Sequence, residues 1–199
     1  MNISKQVTEN SITQYAQKHS LKGKKVLLRI DVNTSLGENG TVDPGEDWRI
    51  VQSYQTIKFL VNEGACVLLL SHIGRDPNAS LKPIFEYMSQ EIQLGFLPDY
   101  DYDLITERID SMQHGSVLML ENVRQHEGEK INDASFLKPI TECCDIYVND
   151  AFSVSHREHA SVHGVTKLLP SFFGIQFTKE IEYLSPTRLI IRKIISKFN

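Results

Sequence analysis

The sequence predicts an α/β fold, an open parallel sheet flanked by helices, and three observations lead to this prediction. Short apolar runs alternate with longer amphipathic segments along the chain. Strands separated by helices in this way form βαβ units, which give a parallel sheet with helices on both faces. Polar residues follow the apolar runs directly, as expected where the strands of such a sheet end. The length of 199 residues suits one domain with a substantial core.

The predicted strands are short, almost continuous apolar runs that lack the alternation of a half-solvated strand. Such runs are typical of strands that are buried on both faces, as in a parallel sheet. The third run is the weakest of the set. In order along the chain, the predicted strands are residues 25–30 (KVLLRI), 66–70 (CVLLL), 96–97, 117–120 and 146–148.

The predicted helices lie between these strands and carry their apolar residues on one stripe. Gly64 ends the first helix, and Ser80 is expected to cap the second at its N-terminus. In order, the predicted helices are residues 50–63, 81–93, 103–112 and 133–143.

Polar and charged residues lie directly after four of the predicted strands. They are residues 31–33 (DVN), 71–75 (SHIGR), 121–124 (ENVR) and 149–152 (NDAF). The carboxyl ends of parallel strands share one edge, where ligands of open α/β sheets bind. We therefore expect these residues to form one polar rim.

Arginines dominate this rim and its sequence neighbourhood. Arg75 and Arg124 lie within the segments above, Arg157 follows the last of them, and Arg49 follows a Gly- and Asp-rich loop over residues 37–47. His72, His156 and His159 accompany them. Taken singly, an arginine is usually a solvated charge, Gly74 could serve a turn, and Asp31 could cap a helix. Together they favour a site for a small, strongly anionic ligand, since guanidinium groups bind phosphate and carboxylate bidentately.

Composition excludes several functional classes. The formal net charge of −4 gives no reason to expect a nucleic-acid partner. The three cysteines, Cys66, Cys143 and Cys144, give no disulfide framework and are expected to be buried thiols in a reducing compartment. Residues 1–25 lack the apolar core of a signal peptide, and the longest aliphatic run, 67–70, is too short to cross a membrane. These features predict a cytoplasmic protein with no membrane partner.

Six segments resemble motifs of the phosphoglycerate kinase family, and they occur in the family's order between about residues 24 and 184. Two match the family strings outright, and four resemble VDFN, SHLGR, HRAHAS and KELEYL. The segments are 30–33 (IDVN), 71–75 (SHIGR), 121–124 (ENVR), 147–152 (YVNDAF), 156–161 (HREHAS) and 179–184 (KEIEYL). Six ordered motifs make the resemblance specific.

The resemblance implies that residues 1–184 are the Rossmann-like N-terminal domain of a phosphoglycerate kinase, a glycolytic phosphotransferase expected to be a monomer. In the family, this domain holds 3-phosphoglycerate or 1,3-bisphosphoglycerate, and the C-terminal domain holds ATP or ADP with Mg²⁺. Arg49 corresponds to the catalytic arginine, which would stabilise the charge of the transferring phosphoryl group. Carried over by motif, the substrate-binding residues are Asp31, Asn33, Arg49, His72, Gly74, Arg75, Arg124 and Arg157, and no metal ligand is implied.

The sequence departs from the family pattern next to these residues. Where the family has NVP, DTRI, DAFG and ENVRF, this chain has Thr34-Ser35, Trp48, Ser153 and Gln125 at the differing positions. No departure removes a charged ligand group. The changes lie in loops that aim those groups, so they bear on affinity.

The resemblance ends near Leu184, after which the family continues through Gly-rich nucleotide-binding segments. Here residues 185–199 follow, with Ile and Phe side chains on one helical face and four basic residues opposite. We expect a basic amphipathic tail that is either docked on the domain or the scrambled end of a truncated gene, while the alternative is binding to a membrane surface. We expect no site for ATP, ADP or Mg²⁺ in this chain, and a separately encoded nucleotide-binding half is a possible partner.

Two other functions compete with the kinase. A non-catalytic anion-binding module would keep the arginine site without phosphoryl transfer. A metalloprotein would use His156, His159 and His163, which are spaced to share a helical face, although Arg157 among them is unfavourable beside a cation.

Overall fold

In the computed structural model, residues 3–184 are described, with side chains from Gln6 onward. Within this range six strands form one parallel sheet in the order β3-β4-β2-β1-β5-β6, which confirms the predicted fold class. The short strand near residues 96–97 is confirmed, and the last strand was not predicted. The strands are β1 Lys25–Arg29, β2 Cys66–Leu70, β3 Gly95–Leu97, β4 Val117–Leu120, β5 Ile146–Asn149 and β6 Ser171–Phe173.

The helices lie between the strands and at both ends of the described range. The longest of them, α3, ends where the sequence predicts, because Gly64 follows its last turn with a φ of 78° that favours glycine. The helices are α1 Ile3–Glu9, α2 Ile12–Ala16, α3 Trp48–Asn62, α4 Lys82–Met88, α5 Tyr102–Asp110, α6 Glu127–Lys130, α7 Lys138–Glu142 and α8 Ile175–Leu184.

Two helix predictions need correction. The predicted helix 133–143 is a 3-10 turn, Ala134–Leu137, followed by α7, because Pro139 lacks an N–H and is accommodated only in the first turn of a new helix. The predicted helix 81–93 ends at Met88. Its N-cap position is occupied by Leu81, although the Ser80 hydroxyl still accepts a hydrogen bond from the Lys82 amide at 3.0 Å.

The sheet is buried on both faces, as continuous apolar strands require. Val26 and Leu28 of β1 contribute to one core beneath α3 and α4, whereas Leu27 contributes to the other core beneath α5 and α7. The reason is that successive side chains of a strand point to opposite faces.

The cysteines are all free thiols, but only Cys66 is buried. Cys143 and Cys144 are partly exposed, which corrects the expectation that all three are buried. They follow the last turn of α7, in which Ile140 and Thr141 are the buried residues. No helix in residues 3–184 is long and apolar enough to cross a membrane.

The topology places a crevice at the carboxyl edge of the sheet, next to β1. From β1 the chain moves to β2 on one side, and it later returns to add β5 on the other side. The strand order thus reverses at β1, and a crevice forms outside the carboxyl ends of strands at such a point. The loops after β1, β2, β4 and β5 all reach this edge.

Candidate functional site

A positively charged cleft lies at the carboxyl edge of the sheet. It encloses about 530 Å³, and its cationic side chains come from three different connections. We call it the basic cleft, and its lining residues are Asn33, His72, Gly74, Arg75, Arg124, Lys130, Arg157 and His159.

The loop after β2 is held to its neighbours by backbone and side-chain hydrogen bonds. The Gly74 amide donates to Asn33 Oδ1 at 2.7 Å, and the Arg124 guanidinium donates to the Gly74 carbonyl. Asn122 Nδ2 donates to the carbonyls of Ile73 and Ala79 at 3.2 and 2.8 Å. Gly74 has a φ of 63°, a conformation that side-chain-bearing residues rarely adopt, so glycine is favoured at this position.

Arg124 combines a structural and an electrostatic role. It is 8% exposed, and its Nε has no hydrogen-bond partner among the described residues. Burial, followed by the charges of Arg157 and Arg29, lowers the pKa of Arg124. A guanidinium nevertheless stays protonated in proteins. Because Arg124 lines the cleft close to the charges of Arg157 and Arg29, an anion bound there would relieve the repulsion between these cations.

His72 is held beneath the cleft by a buried arginine of β1. Arg29 is 1% exposed, and its Nη2 lies 2.9 Å from Nδ1 of His72. Because a guanidinium can only donate, Nδ1 accepts this hydrogen bond and carries no proton. Burial and the charges of Arg29, Arg124 and Arg157 lower the pKa of His72 to about 2. His72 is therefore neutral at physiological pH, with its proton on Nε2.

A buried carboxylate balances Arg29 from the other side. Glu129 is 1% exposed, and its Oε1 accepts from the Ser161 hydroxyl at 2.8 Å while Oε2 accepts from the Ser161 amide at 2.8 Å. The same hydroxyl accepts from Arg29 Nε at 3.1 Å. His159 Nδ1 lies 3.4 Å from Glu129 Oε1. Burial acts to raise the pKa of Glu129, but the bonds from His159 and Ser161 and the charge of Arg29 outweigh it and lower this pKa.

A second cavity, of about 510 Å³, lies between α3 and α8. We call it the acidic cavity, because three carboxylates line it together with aromatic rings and one arginine. Its lining residues are Asp31, Trp48, Arg49, Gln52, Ser53, Asp150, Phe152, Ser153, Gln176, Glu180 and Tyr183.

Arg49 is bound within the acidic cavity. Its Nη1 donates to Asp31 Oδ2 at 2.5 Å, and its guanidinium lies 4.4 Å from the centre of the Trp48 ring. The Ser153 hydroxyl donates to the same Asp31 oxygen, while Asp31 Oδ1 accepts from the Asn33 amide at 3.1 Å. The loop after β1 thus presents Asp31 to the acidic cavity and Asn33 to the basic cleft.

Asp150 joins the end of β5 to the start of α8. Its Oδ1 accepts from the Phe177 amide at 2.9 Å, and a Cβ on Gly174 would lie only 2.2 Å from that oxygen. Oδ2 is buried and has no hydrogen-bond partner among the described residues. Burial raises the pKa of Asp150 to about 6, although bonds from Thr56 and the backbone of α8 act in the opposite direction.

The structure separates the eight residues chosen from the sequence into two groups. Six line the basic cleft, namely Asn33, His72, Gly74, Arg75, Arg124 and Arg157. Asp31 and Arg49 line the neighbouring acidic cavity, where they bind each other.

Three residues in or directly behind the basic cleft were not predicted from the sequence. Lys130, at the end of α6, gave no signal beyond being one more surface lysine. Arg29 and Glu129 are both buried, and Arg29 did offer a signal, because a charged residue within an otherwise apolar strand must have a partner.

The spacing of His156, His159 and His163 does not produce a helical face. This segment connects two 3-10 turns, Phe152–Val154 and Gly164–Lys167, and His159 instead lies against Glu129. Among residues 3–184, no group of three His, Cys, Asp or Glu side chains is arranged to hold a metal ion.

The chain resembles known proteins over most of its length. A family model described as "Phosphoglycerate kinase" matches residues 16–190. The phosphoglycerate kinase of Geobacter metallireducens is 45% identical over 174 residues, which cover 82% of this chain and 43% of that protein. That of Coprothermobacter proteolyticus is 42% identical, with 83% and 43% covered.

A solved structure gives the same relation. The phosphoglycerate kinase from Coxiella burnetii superposes with a TM-score of 0.73 at 30% identity, covering 86% of this chain and 44% of that one. The chain therefore spans less than half the length of the relatives that it matches.

Proposed function

The chain belongs to the phosphoglycerate kinase family, and from that premise we propose that its basic cleft binds 3-phosphoglycerate or 1,3-bisphosphoglycerate. The observation that carries the proposal is the convergence of Arg75, Arg124, Lys130 and Arg157 on one cleft at the carboxyl edge of a parallel sheet. Three of these residues are arginines, whose planar donors fit phosphate and carboxylate oxygens.

The proposed ligand matches the cleft in charge and in size. A phosphorylated three-carbon acid carries its phosphate and carboxylate a few bonds apart, so several cations can engage it at once. Asn33 and the Nε2 proton of His72 add neutral polar groups for a hydroxyl or a carbonyl oxygen. A cleft with only cations would bind anions without discrimination, whereas these neutral groups favour a hydroxylated acid.

The proposed reaction is phosphoryl transfer between 1,3-bisphosphoglycerate with ADP and 3-phosphoglycerate with ATP, in which this chain supplies the acceptor side. Catalysis of such a transfer depends on holding the two reactants in line and stabilising the charge that develops on the phosphoryl oxygens. Mg²⁺ with ATP or ADP would screen the phosphates when bound. The basic cleft offers cations, and the Glu129 oxygens are already used by Ser161 and His159, so we assign the cleft no metal.

Arg49 is proposed as the catalytic arginine. In this structure it binds Asp31 and lies over Trp48, outside the basic cleft. To reach a phosphoryl group it would exchange the Asp31 carboxylate for the phosphate oxygens. Asp31 would keep the Ser153 hydroxyl and the Asn33 amide as donors after this exchange, which limits the free energy that the exchange requires.

A second candidate function, a non-catalytic anion-binding module, is favoured by the same Arg49–Asp31 pair. If that pair persists with ligand bound, the cleft still holds the acid but no arginine reaches the transferring group. A coupled turnover assay with a nucleotide-binding half from a relative distinguishes the two functions, because both predict binding and only the kinase predicts ATP formation.

Calorimetric titration with 3-phosphoglycerate tests the proposed ligand. Arg75→Ala removes an exposed cation of the cleft and is expected to weaken binding about tenfold, at the lower end of the range for charge-assisted hydrogen bonds. Arg108→Ala is the matched control, because Arg108 is also exposed but lies in the last turn of α5, which leads to the amino end of β4. Equal affinity in the parent and Arg75→Ala proteins would refute the assignment.

A further inference from the structure

The buried side chains behind the basic cleft form a chain of directional hydrogen bonds. It runs from Glu129 through the Ser161 hydroxyl to Arg29, and from Arg29 to Nδ1 of His72. Its two charged members are each 1% exposed, and His72 is 2% exposed. Only its last member, His72, lines the cleft.

Each hydrogen bond in this chain has one possible direction. Arg29 can only donate, so the Ser161 hydroxyl accepts from its Nε and must direct its own proton to the Glu129 carboxylate. Arg29 Nη1 donates to the Ile30 carbonyl, which also accepts from the Ser71 hydroxyl at 2.9 Å. Arg29 Nη2 donates to His72 Nδ1. The tautomer of His72 that carries its proton on Nδ1 would place two protons between these nitrogens.

We propose that Arg29 is a positioning residue that fixes His72 as a hydrogen-bond donor through Nε2 in the basic cleft, and that Glu129 holds Arg29 in place through Ser161. This proposal deepens the proposed function, because it explains how the cleft obtains a neutral donor of fixed direction beside its cations. Without Arg29, the imidazole could present either a proton or a lone pair to the ligand, and the lone pair would repel an anion.

The surroundings of His72 oppose a second proton from every side. Arg29 faces it from β1, Arg124 from the turn after β4, and Arg157 and His159 from the segment after β5. The three arginine charges and burial act together, so the imidazole stays neutral while the cleft around it stays positive. The hydrogen bond that His72 offers is consequently independent of pH across the physiological range.

Histidine ring-nitrogen NMR of the labelled protein, recorded without any ligand, tests the tautomer directly. We expect His72 to show an unprotonated Nδ1 and a protonated Nε2, with no change between about pH 8 and pH 5, the range in which ordinary histidines titrate. The His72→Gln spectrum identifies the His72 signal by its absence. A protonated Nδ1, or a His72 signal that titrates in this range, would overturn the proposal.

Two variants test whether Arg29 is the cause. The paired variant Arg29→Met with Glu129→Gln removes both buried charges together, so neither is left unpaired. We expect its His72 signals to move towards a mixture of the two tautomers, while Ser161→Ala, which cuts only the bridge, gives a smaller change. An unchanged His72 tautomer in the folded paired variant would refute the role of Arg29. If that variant does not fold, the Ser161→Ala protein carries the test, and a His72 spectrum identical to that of the parent would refute the role of Ser161 and Glu129 in holding Arg29.

Binding measurements separate this inference from the proposed function. His72→Leu removes the donor and is expected to weaken 3-phosphoglycerate binding about tenfold, whereas His72→Gln, which retains an N–H donor, loses less. A parent protein that shows the Nε2-protonated tautomer but binds no 3-phosphoglycerate would refute the proposed function and leave the inference standing. If the parent protein binds 3-phosphoglycerate but its His72 is protonated on Nδ1, the inference is refuted and the proposed function stands.

Discussion

Replacing Asp150 with asparagine should change the pH dependence of stability in a defined direction. The pKa of Asp150 is raised to about 6 by burial, against an ordinary value of 3.8. At about 1.4 kcal/mol per pH unit, this difference of about two units corresponds to about 3 kcal/mol. Between these two pH values the folded chain keeps the Asp150 proton and the unfolded chain releases it. The contribution of Asp150 to the free energy of unfolding therefore falls as pH rises from about 4 to 6 and stays low above that.

The substituted side chain in the Asp150→Asn variant is uncharged at every pH. The variant should therefore not lose stability through this position as the pH rises. Its amide oxygen can still accept from Phe177, so the helix contact is retained. Urea unfolding followed by far-UV circular dichroism measures the free energy of unfolding of both proteins at each pH. Between about pH 4 and pH 7, the free energy of unfolding of the variant should rise by about 3 kcal/mol relative to that of the parent. Asp99→Asn, at an exposed position, controls for the change in net charge. Parallel curves for the parent and Asp150→Asn would refute the argument that burial keeps this carboxyl protonated.

The remaining predictions concern the basic cleft. Arg124→Ala should weaken 3-phosphoglycerate binding at least about tenfold and also lower the urea midpoint, because Arg124 donates to the Gly74 carbonyl; a variant with unchanged affinity by calorimetry would contradict its role. The dissociation constant should rise with ionic strength, since screening acts over about 8 Å at physiological salt, and a flat salt titration would mean that the cation cluster does not hold the ligand. The 199-residue chain alone should not form ATP from 1,3-bisphosphoglycerate and ADP in a coupled assay. Adding a separately expressed nucleotide-binding half should restore some turnover. Robust activity of the chain alone would contradict this prediction and reveal a nucleotide site within it. Trp48, the single tryptophan, should change its fluorescence on ligand binding if Arg49 leaves its ring, and an Arg49→Met protein should lose that response.

The fold followed from the sequence wherever burial on both faces left an unbroken apolar run. β2 is the best example, because all five of its residues are buried and the sequence shows no alternation. β6 was missed because it has only three residues, two of which are partly exposed, directly after Pro170. α1 and α2 are too short for a periodic stripe to emerge.

The sequence predicted those residues of the candidate site whose position is set by the end of a strand. Residues that directly follow a strand, such as His72 and Arg124, reach the cleft because the sheet is parallel. The separation of Asp31 from Asn33 was not predictable, because it depends on a local turn in which the Asn33 amide donates to Asp31 Oδ1. Arg49 lies in the acidic cavity because it forms an ion pair with Asp31. The spacing of these two residues along the chain gives no sign of this pair.

The loop after β2 has a consequence for the kinetics of recognition. Asn33, Asn122 and Arg124 fix its backbone at Ile73, Gly74 and Ala79 before any ligand arrives. The conformational entropy of this segment was lost when the chain folded, so association does not lose it again. For the anionic ligand proposed above, this side of the basic cleft is already formed, and the surrounding cations would attract it electrostatically from a distance. Capture at this edge of the sheet should therefore approach the rate of diffusion, leaving any slow step to the movement of Arg49.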